Sequence, residues 1–284
     1  MITRNKFPSL LWNSVKESGD RRYRHRVIKA YANKQNELIE ELKFYVQKAH
    51  DDARQCFNKL ASNSLDPLGS STRTIPAIGY PERLHMQTLK GYFGEVFAGL
   101  IAEHFSPFNE DNWKVPAFLF RFHLAAFQHL EKLRQVGGQA NPIPGRTGDD
   151  CLAFRLDSDG HIVRSLYCEA KCTADHHPNM LTEAHKKVSE SVIVDIPQLI
   201  EVLRDSSEPD APQWIEALHQ LRLGTPVTGY ERYDLVSYIC RPPIRIATWL
   251  SRDRPHPTYT AQRRLEAVEV HLTNVEDIIH AVYG

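Results

Sequence analysis

The chain has 284 residues, 42% hydrophobic and 25% charged, with 14 glycines and 17 prolines dispersed rather than in tracts, which excludes collagen-like, low-complexity and wholly disordered architectures. Thirty-five basic residues balance 35 acidic ones, so long-range attraction to a polyanion is excluded and any contact with nucleic acid must use local patches. No run reaches the roughly 18 to 20 apolar residues of a membrane span, residues 1–12 lack a secretory apolar run, and Cys56, Cys151, Cys168, Cys172 and Cys240 are unlike a disulfide framework; a soluble, cytoplasmic protein with no membrane partner is expected.

Apolar or small residues recur at Leu38, Leu42, Tyr45, Ala49, Ala53, Cys56, Phe57 and Leu60, the three-and-four spacing that predicts a helix over 33–60. Residues 62–81, rich in Ser, Pro, Gly and Thr, interrupt it and predict a long loop. Helices are expected over 88–105 and 117–136, the second ending at Gly137-Gly138. Strands are expected over 151–157 and 161–172, separated by Ser158-Asp159-Gly160, a strong hairpin signal. Helical patterns follow around 180–191, 196–204 and 213–223, then strands over 234–240 and 265–272 and a short helix from Asn274. These elements predict an α/β fold, a mixed central β-sheet flanked by helices with an N-terminal helical extension. In domain terms, a helical region covers 1–65, a linker or long loop 66–87, and a larger domain 88–284.

A two-residue turn at Asp159-Gly160 sets Ser158 opposite His161, and counting back along both strands brings Asp150 opposite Glu169. Alternation places Glu169 and Lys171 on one face and Cys168, Ala170 and Cys172 on the other. Facing carboxylates are unfavourable without a compensating cation, and a divalent metal beside Lys171 meets that need. Hard cations such as Mg²⁺ take one or two carboxylates and complete their shell with water and substrate phosphate oxygens, which suits phosphodiester hydrolysis. Lys171 then serves to orient the attacking water or to neutralise transition-state charge.

Glu95 is the one acid in an otherwise apolar or small run of Tyr92, Phe93, Val96, Phe97, Leu100 and Ile101. Gly91, Ala98 and Gly99 share its face, which predicts close approach by another element and a carboxylate aimed into the protein. It suits either an accessory ligand or a buried pair with a core arginine such as Arg121.

Gly148-Asp149-Asp150, then after 18 residues Glu169-Ala170-Lys171, with Glu95 on an upstream helix, resembles the PD-(D/E)XK nuclease superfamily of restriction endonucleases and junction resolvases. The resemblance covers about residues 88–191 and implies a nuclease dependent on Mg²⁺ or Mn²⁺. It implies that Asp150 and Glu169 are metal ligands, Lys171 the catalytic lysine and Glu95 the accessory acid. Gly148 stands where the superfamily's proline would precede the acidic pair. Asp149 competes with Asp150 for the ligand role; hairpin register favours Asp150, and a bulge would shift it. Length and layout also resemble the small nuclease subunits of bacterial anti-phage defence systems, in particular the Hachiman type. That likeness implies DNA as substrate and a helicase partner subunit.

Cys168, Cys172, His176 and His177 offer zinc-type donors, but alternation buries both cysteines, and the histidines suit a plain loop or a phosphate contact near the strand end. Arg241, Arg245, Arg252, Arg254, Arg263 and Arg264 stand against one acid, Asp253, with Trp249, His256 and Tyr259 interleaved, a composition suited to phosphates and stacked bases. Arg21, Arg22, Arg24 and Arg26 form a second basic cluster. Two rival classes follow: a non-catalytic nucleic-acid-binding or assembly module on a nuclease fold, and a zinc-stabilised interaction domain.

Overall fold

A computed structural model describes residues 6–62, 79–146, 148–191 and 195–284, among which six strands come as three consecutive pairs with helices between and after them. The strands are β1 (Leu11–Glu17), β2 (Tyr23–Ala30), β3 (Cys151–Leu156), β4 (Ile162–Cys172), β5 (Glu231–Cys240) and β6 (Leu265–His271). They form one sheet in the order β1-β2-β6-β5-β4-β3. The neighbours β2, β6, β5 and β4 run parallel, while β1 and β3 pair antiparallel at the two edges. This is the expected mixed sheet, and parallel strands of this kind are buried on both faces.

The helices are α1 (Gln35–Ala49), α2 (Asp51–Ser62), α3 (Met86–His104), α4 (Leu124–Val136), α5 (Pro178–Glu190), α6 (Ile196–Asp205), α7 (Ala211–Leu223) and α8 (Val275–Tyr283). Helices α1, α3, α4 and α8 build one apolar layer with Leu166, Cys168, Leu235, Ile239, Val268 and Val270 of the sheet. On the other face α5 packs with Val236, Tyr238, Leu265 and Ala267, and α6 and α7 pack with Leu152, Phe154 and Tyr167. The helix expected over 33–60 is broken at His50, which is fully buried and bonded through Nδ1 to the Tyr80 hydroxyl at 2.9 Å. Among the described residues no helix is long and apolar enough to cross a membrane.

The N-terminal stretch departs from the helical region expected over 1–65, because β1 and β2 belong to the same sheet as the rest. Six of the eight residues of β2 are buried, including Arg24, His25 and Arg26. Arg26 Nε donates to Glu266 Oε1 at 2.7 Å and Arg24 Nε lies 3.3 Å from Glu266 Oε2, while His25 Nε2 lies 3.1 Å from Glu269 Oε1. Apolar Tyr23, Val27 and Ile28 make up half of these buried positions, and ion pairing with β6 allows the charged ones between them to be buried as well, so Arg24 and Arg26 are no surface patch for nucleic acid. The linker expected over 66–87 lies outside the described residues as far as residue 78; Met86 already opens α3.

The hairpin turns differently from expectation yet keeps its register. Asp157 and His161 close a loop through Asp157 N–H to His161 C=O at 2.9 Å, and Gly160 takes φ +86°, so three residues, Ser158 to Gly160, span the turn. Leu156 pairs with Ile162 but Arg155 with Arg164, leaving Val163 as a bulge that restores the offset a two-residue turn would have given. Cys151 thus faces Cys168, and Asp150 comes beside Glu169.

Candidate active site

Glu169 and Lys171 sit near the carboxyl end of β4, and Asp150 immediately precedes β3 at the same end of the sheet. In open α/β sheets that end is where ligands bind. Asp150 is oriented by the Ala170 N–H, which donates to its Oδ2 at 2.7 Å. Lys171 Nζ donates to Glu169 Oε1 at 2.7 Å. The Lys187 ammonium, from α5, bridges the two acids at 3.2 Å from Asp150 Oδ1 and 2.6 Å from Glu169 Oε2. Asp150, Glu169 and Lys171 are thereby brought together, with Lys187 as a fourth member.

Glu95 approaches from the opposite side. Helix α3 packs on the Ala170 and Cys172 face of β4, where a β-carbon on Gly94 would stand 3.5 Å from the β-carbons of both residues. Gly94, rather than Gly91, is the point of close approach; Gly91 meets nothing within 4 Å, and Gly99 faces Phe118. Alternation turns Glu169 toward α5, so the sheet separates the two glutamates and Asp150 at its edge lies between them. Glu95 is buried, its Oε2 has no hydrogen-bond partner, and Arg121 pairs instead with Asp205 at 2.7 Å; the expected Glu95–Arg121 alternative is not formed.

Electrostatics follow this layout. Burial, then the nearby Asp150 charge, hold the Glu95 carboxyl well above the usual carboxylate range, with Arg146 and Lys187 opposing. Burial and Asp150 push Glu169 up to about 7 against the pull of Lys171 and Lys187. Burial works against the Lys187 ammonium, but Asp150 and Glu169 outweigh it and raise its pKa. Burial and mutual repulsion thus raise both acids, and Lys171 and Lys187 offset part of that cost at Glu169.

Asp149 points away from this group: Ser191 Oγ donates to its Oδ1 at 2.7 Å, and burial pushes it up to about 6. Gly148 has φ +109°, beyond proline's reach, and a β-carbon there would overlap the Asp195 carboxylate. Asp195 also accepts from Arg146 Nη1 at 2.9 Å, and Arg146 Nη2 donates to the Asp149 carbonyl. A groove of about 390 Å³ runs beside Gly148, Asp149, Lys186, Lys187 and Ser191, with Glu183 and Glu190 also on its wall. Asp150 and Glu169 do not line it; Lys187 does.

Among the described residues, three ligand-type atoms crowd within 4.8 Å at Asp157, Asp159 and His161, on the exposed hairpin turn. There Asp157 Oδ1 already accepts the Asp159 and His161 N–H groups at 2.9 Å, as a turn requires. Cys168 faces α3, whereas His176 stacks on Trp249 at 3.9 Å and bonds the Tyr238 hydroxyl at 3.0 Å on the α5 side, so the zinc-type donors do not converge. Of the basic stretch over 241–264, Arg263 is held by Asp234 at 2.8 Å, Arg264 by the Tyr233 hydroxyl at 3.1 Å, and Arg241 by Asp175 at 3.1 Å. Arg245, Arg252 and Arg254 are exposed.

Compared with protein-family models and with curated proteins, the chain matches none.

Proposed function

We propose that this protein is a metal-dependent nuclease that hydrolyses phosphodiester bonds of DNA. The observation that carries the reading is one cation shared by two carboxylates: Lys187 Nζ stands within hydrogen-bond distance of both Asp150 and Glu169, and Lys171 holds the remaining Glu169 oxygen. The hard oxygen donors of Asp150, just before β3, and of Glu169 on β4, with their compensating lysines, fit Mg²⁺ or Mn²⁺. A divalent ion held by Asp150 and Glu169 supplies Lewis-acid charge and a more acidic water. Lys171 keeps a fixed positive charge beside the position where phosphate charge grows. Glu95, close enough for the Asp150 charge to raise its pKa, supports the site from the far side of the sheet.

Arg245, Arg252 and Arg254 supply the phosphate contacts. The His176–Trp249 stack and the Arg241–Asp175 pair tether the start of their segment to the residues just after β4, while the Ser251 carbonyl, which accepts from the Tyr23 hydroxyl at 2.7 Å, ties the Arg252 and Arg254 part to the first residue of β2 at the other end of the sheet. A balanced net charge supports weak unaided binding and delivery of DNA by a partner subunit; a helicase partner and a role in anti-phage defence complete the proposal. The test compares wild type with Glu169→Ala and Lys171→Ala on linear and circular plasmid in Mg²⁺, Mn²⁺ and EDTA. Cutting by wild type alone, abolished by EDTA, is the expected result; cutting unchanged by the substitutions refutes the assignment.

A further inference from the structure

Among the described residues, Lys187 is the side chain that both lines the groove and touches the two site carboxylates. Its ammonium lies where one cation can serve Asp150 Oδ1 and Glu169 Oε2 together, and a second cation cannot share that point with it. The carboxylates themselves are withdrawn: the Glu169 side chain is 2% exposed and Asp150 15%, whereas Lys187 is 41% exposed. We propose that Lys187 is a built-in counter-ion that fills the cation position and closes it from the groove, and that a divalent ion enters only as this side chain swings out.

The inference rests on the nuclease reading above and divides the work of the two lysines. Lys171 shares a strand face with Glu169 and holds Oε1, the oxygen that Lys187 leaves free. Lys187 is carried on α5 by a flexible four-carbon stem, so its exit toward the groove needs rotamer changes rather than a backbone shift. Without it, the nearly buried Glu169 would keep Lys171 and Asp150 the charge of Arg146, and the site would be short of compensating charge. Once displaced, the ammonium enters a groove that Lys186 shares with the exposed Glu183 and Glu190, whose carboxylates can receive it there. Metal entry and departure of the ammonium from between the two carboxylates are thereby the same event.

The test is Mn²⁺ binding by titration calorimetry to wild type, Lys187→Gln and Glu169→Gln, with circular dichroism to verify folding. Lys187→Gln is expected to bind Mn²⁺ roughly fivefold to tenfold more tightly than wild type, the factor for removing one half-exposed competing ion pair. Glu169→Gln is expected to lose binding. A second arm needs no variant: acetylation of Lys187 in wild type, read by peptide mass spectrometry, rises several-fold when Mn²⁺ is added, while exposed Lys16 is unaffected. Equal or weaker binding by Lys187→Gln, or labelling that Mn²⁺ leaves unchanged, overturns the counter-ion and leaves the nuclease reading standing. Absence of Mn²⁺ binding in every form overturns the metal reading, and the counter-ion with it.

Discussion

The carboxylate of Asp195 fills the space that a β-carbon on Gly148 would occupy, and Gly148 itself holds φ +109°. Both constraints fall on the residue that leads into Asp149 and Asp150. Gly148→Ala is expected to lower unfolding free energy by about 1–3 kcal/mol and to impair plasmid cleavage by moving Asp150. Urea denaturation and a cleavage assay check this; unchanged stability would show that the turn tolerates a side chain.

Glu95 offers a way to separate a functional acid from structural glue. Its carboxyl is buried, lacks a hydrogen-bond partner at Oε2 and is raised by burial and by Asp150. Glu95→Gln is therefore expected to leave the fold as stable or to stabilise it by roughly 1 kcal/mol, while slowing cleavage about tenfold or more. Thermal melting and initial rates decide; a marked loss of stability would return Glu95 to a structural role.

Burial opposes ionisation of Glu269, but bonds from His25 and His271 and from the Leu250 and Trp249 N–H groups hold its carboxyl down at about 2. A depressed acid contributes stability above its unfolded pKa and loses it as pH falls through the folded value. About 3 kcal/mol is thus present at neutral pH and lost between about 4.5 and about 2. Denaturant melts of wild type and Glu269→Gln should converge as pH drops below about 4.5, and a constant gap would contradict the linkage.

The exposed arginines Arg245, Arg252 and Arg254 are expected to carry phosphate contacts, whereas Arg263, bound to Asp234, is structural. The triple alanine variant should weaken duplex affinity at low salt and reduce the slope of log affinity against log salt by roughly 2 to 3. Arg263→Ala should lower stability and leave that slope unchanged. A salt titration of binding that finds the same slope in the triple variant removes this segment from the interface.

Much of the site was legible because strand alternation is rigid: once Asp150 and Glu169 stand side by side, the faces of Ala170, Lys171 and Cys172 follow. The register survived a wrong turn type only because the bulge at Val163 offset the extra loop residue. Strand β2 was hidden, since Arg24 and Arg26 read with Arg21 and Arg22 as a basic cluster until Glu266 on β6 is brought alongside. Lys187 was missed although a signal existed. A helix returning along its strand advances about 13 Å in nine residues, the length of about four strand residues, and this sets Lys187 level with Glu169. Arg146 and Asp195 could not be found this way, because the bend at Gly148 that joins them has no periodicity.

If Glu169 and Lys171 act beside Asp150 as one hydrolytic unit, a double-mutant cycle reveals it most directly. Single-turnover cleavage of supercoiled plasmid in Mg²⁺ would be measured for wild type, Glu169→Gln, Lys171→Ala and the double variant. Residues acting as a unit are non-additive, so the double variant should cut no more slowly than the worse single one, with each single loss on the order of a hundredfold or more. Losses that multiply, or rates indistinguishable from wild type, would contradict the account.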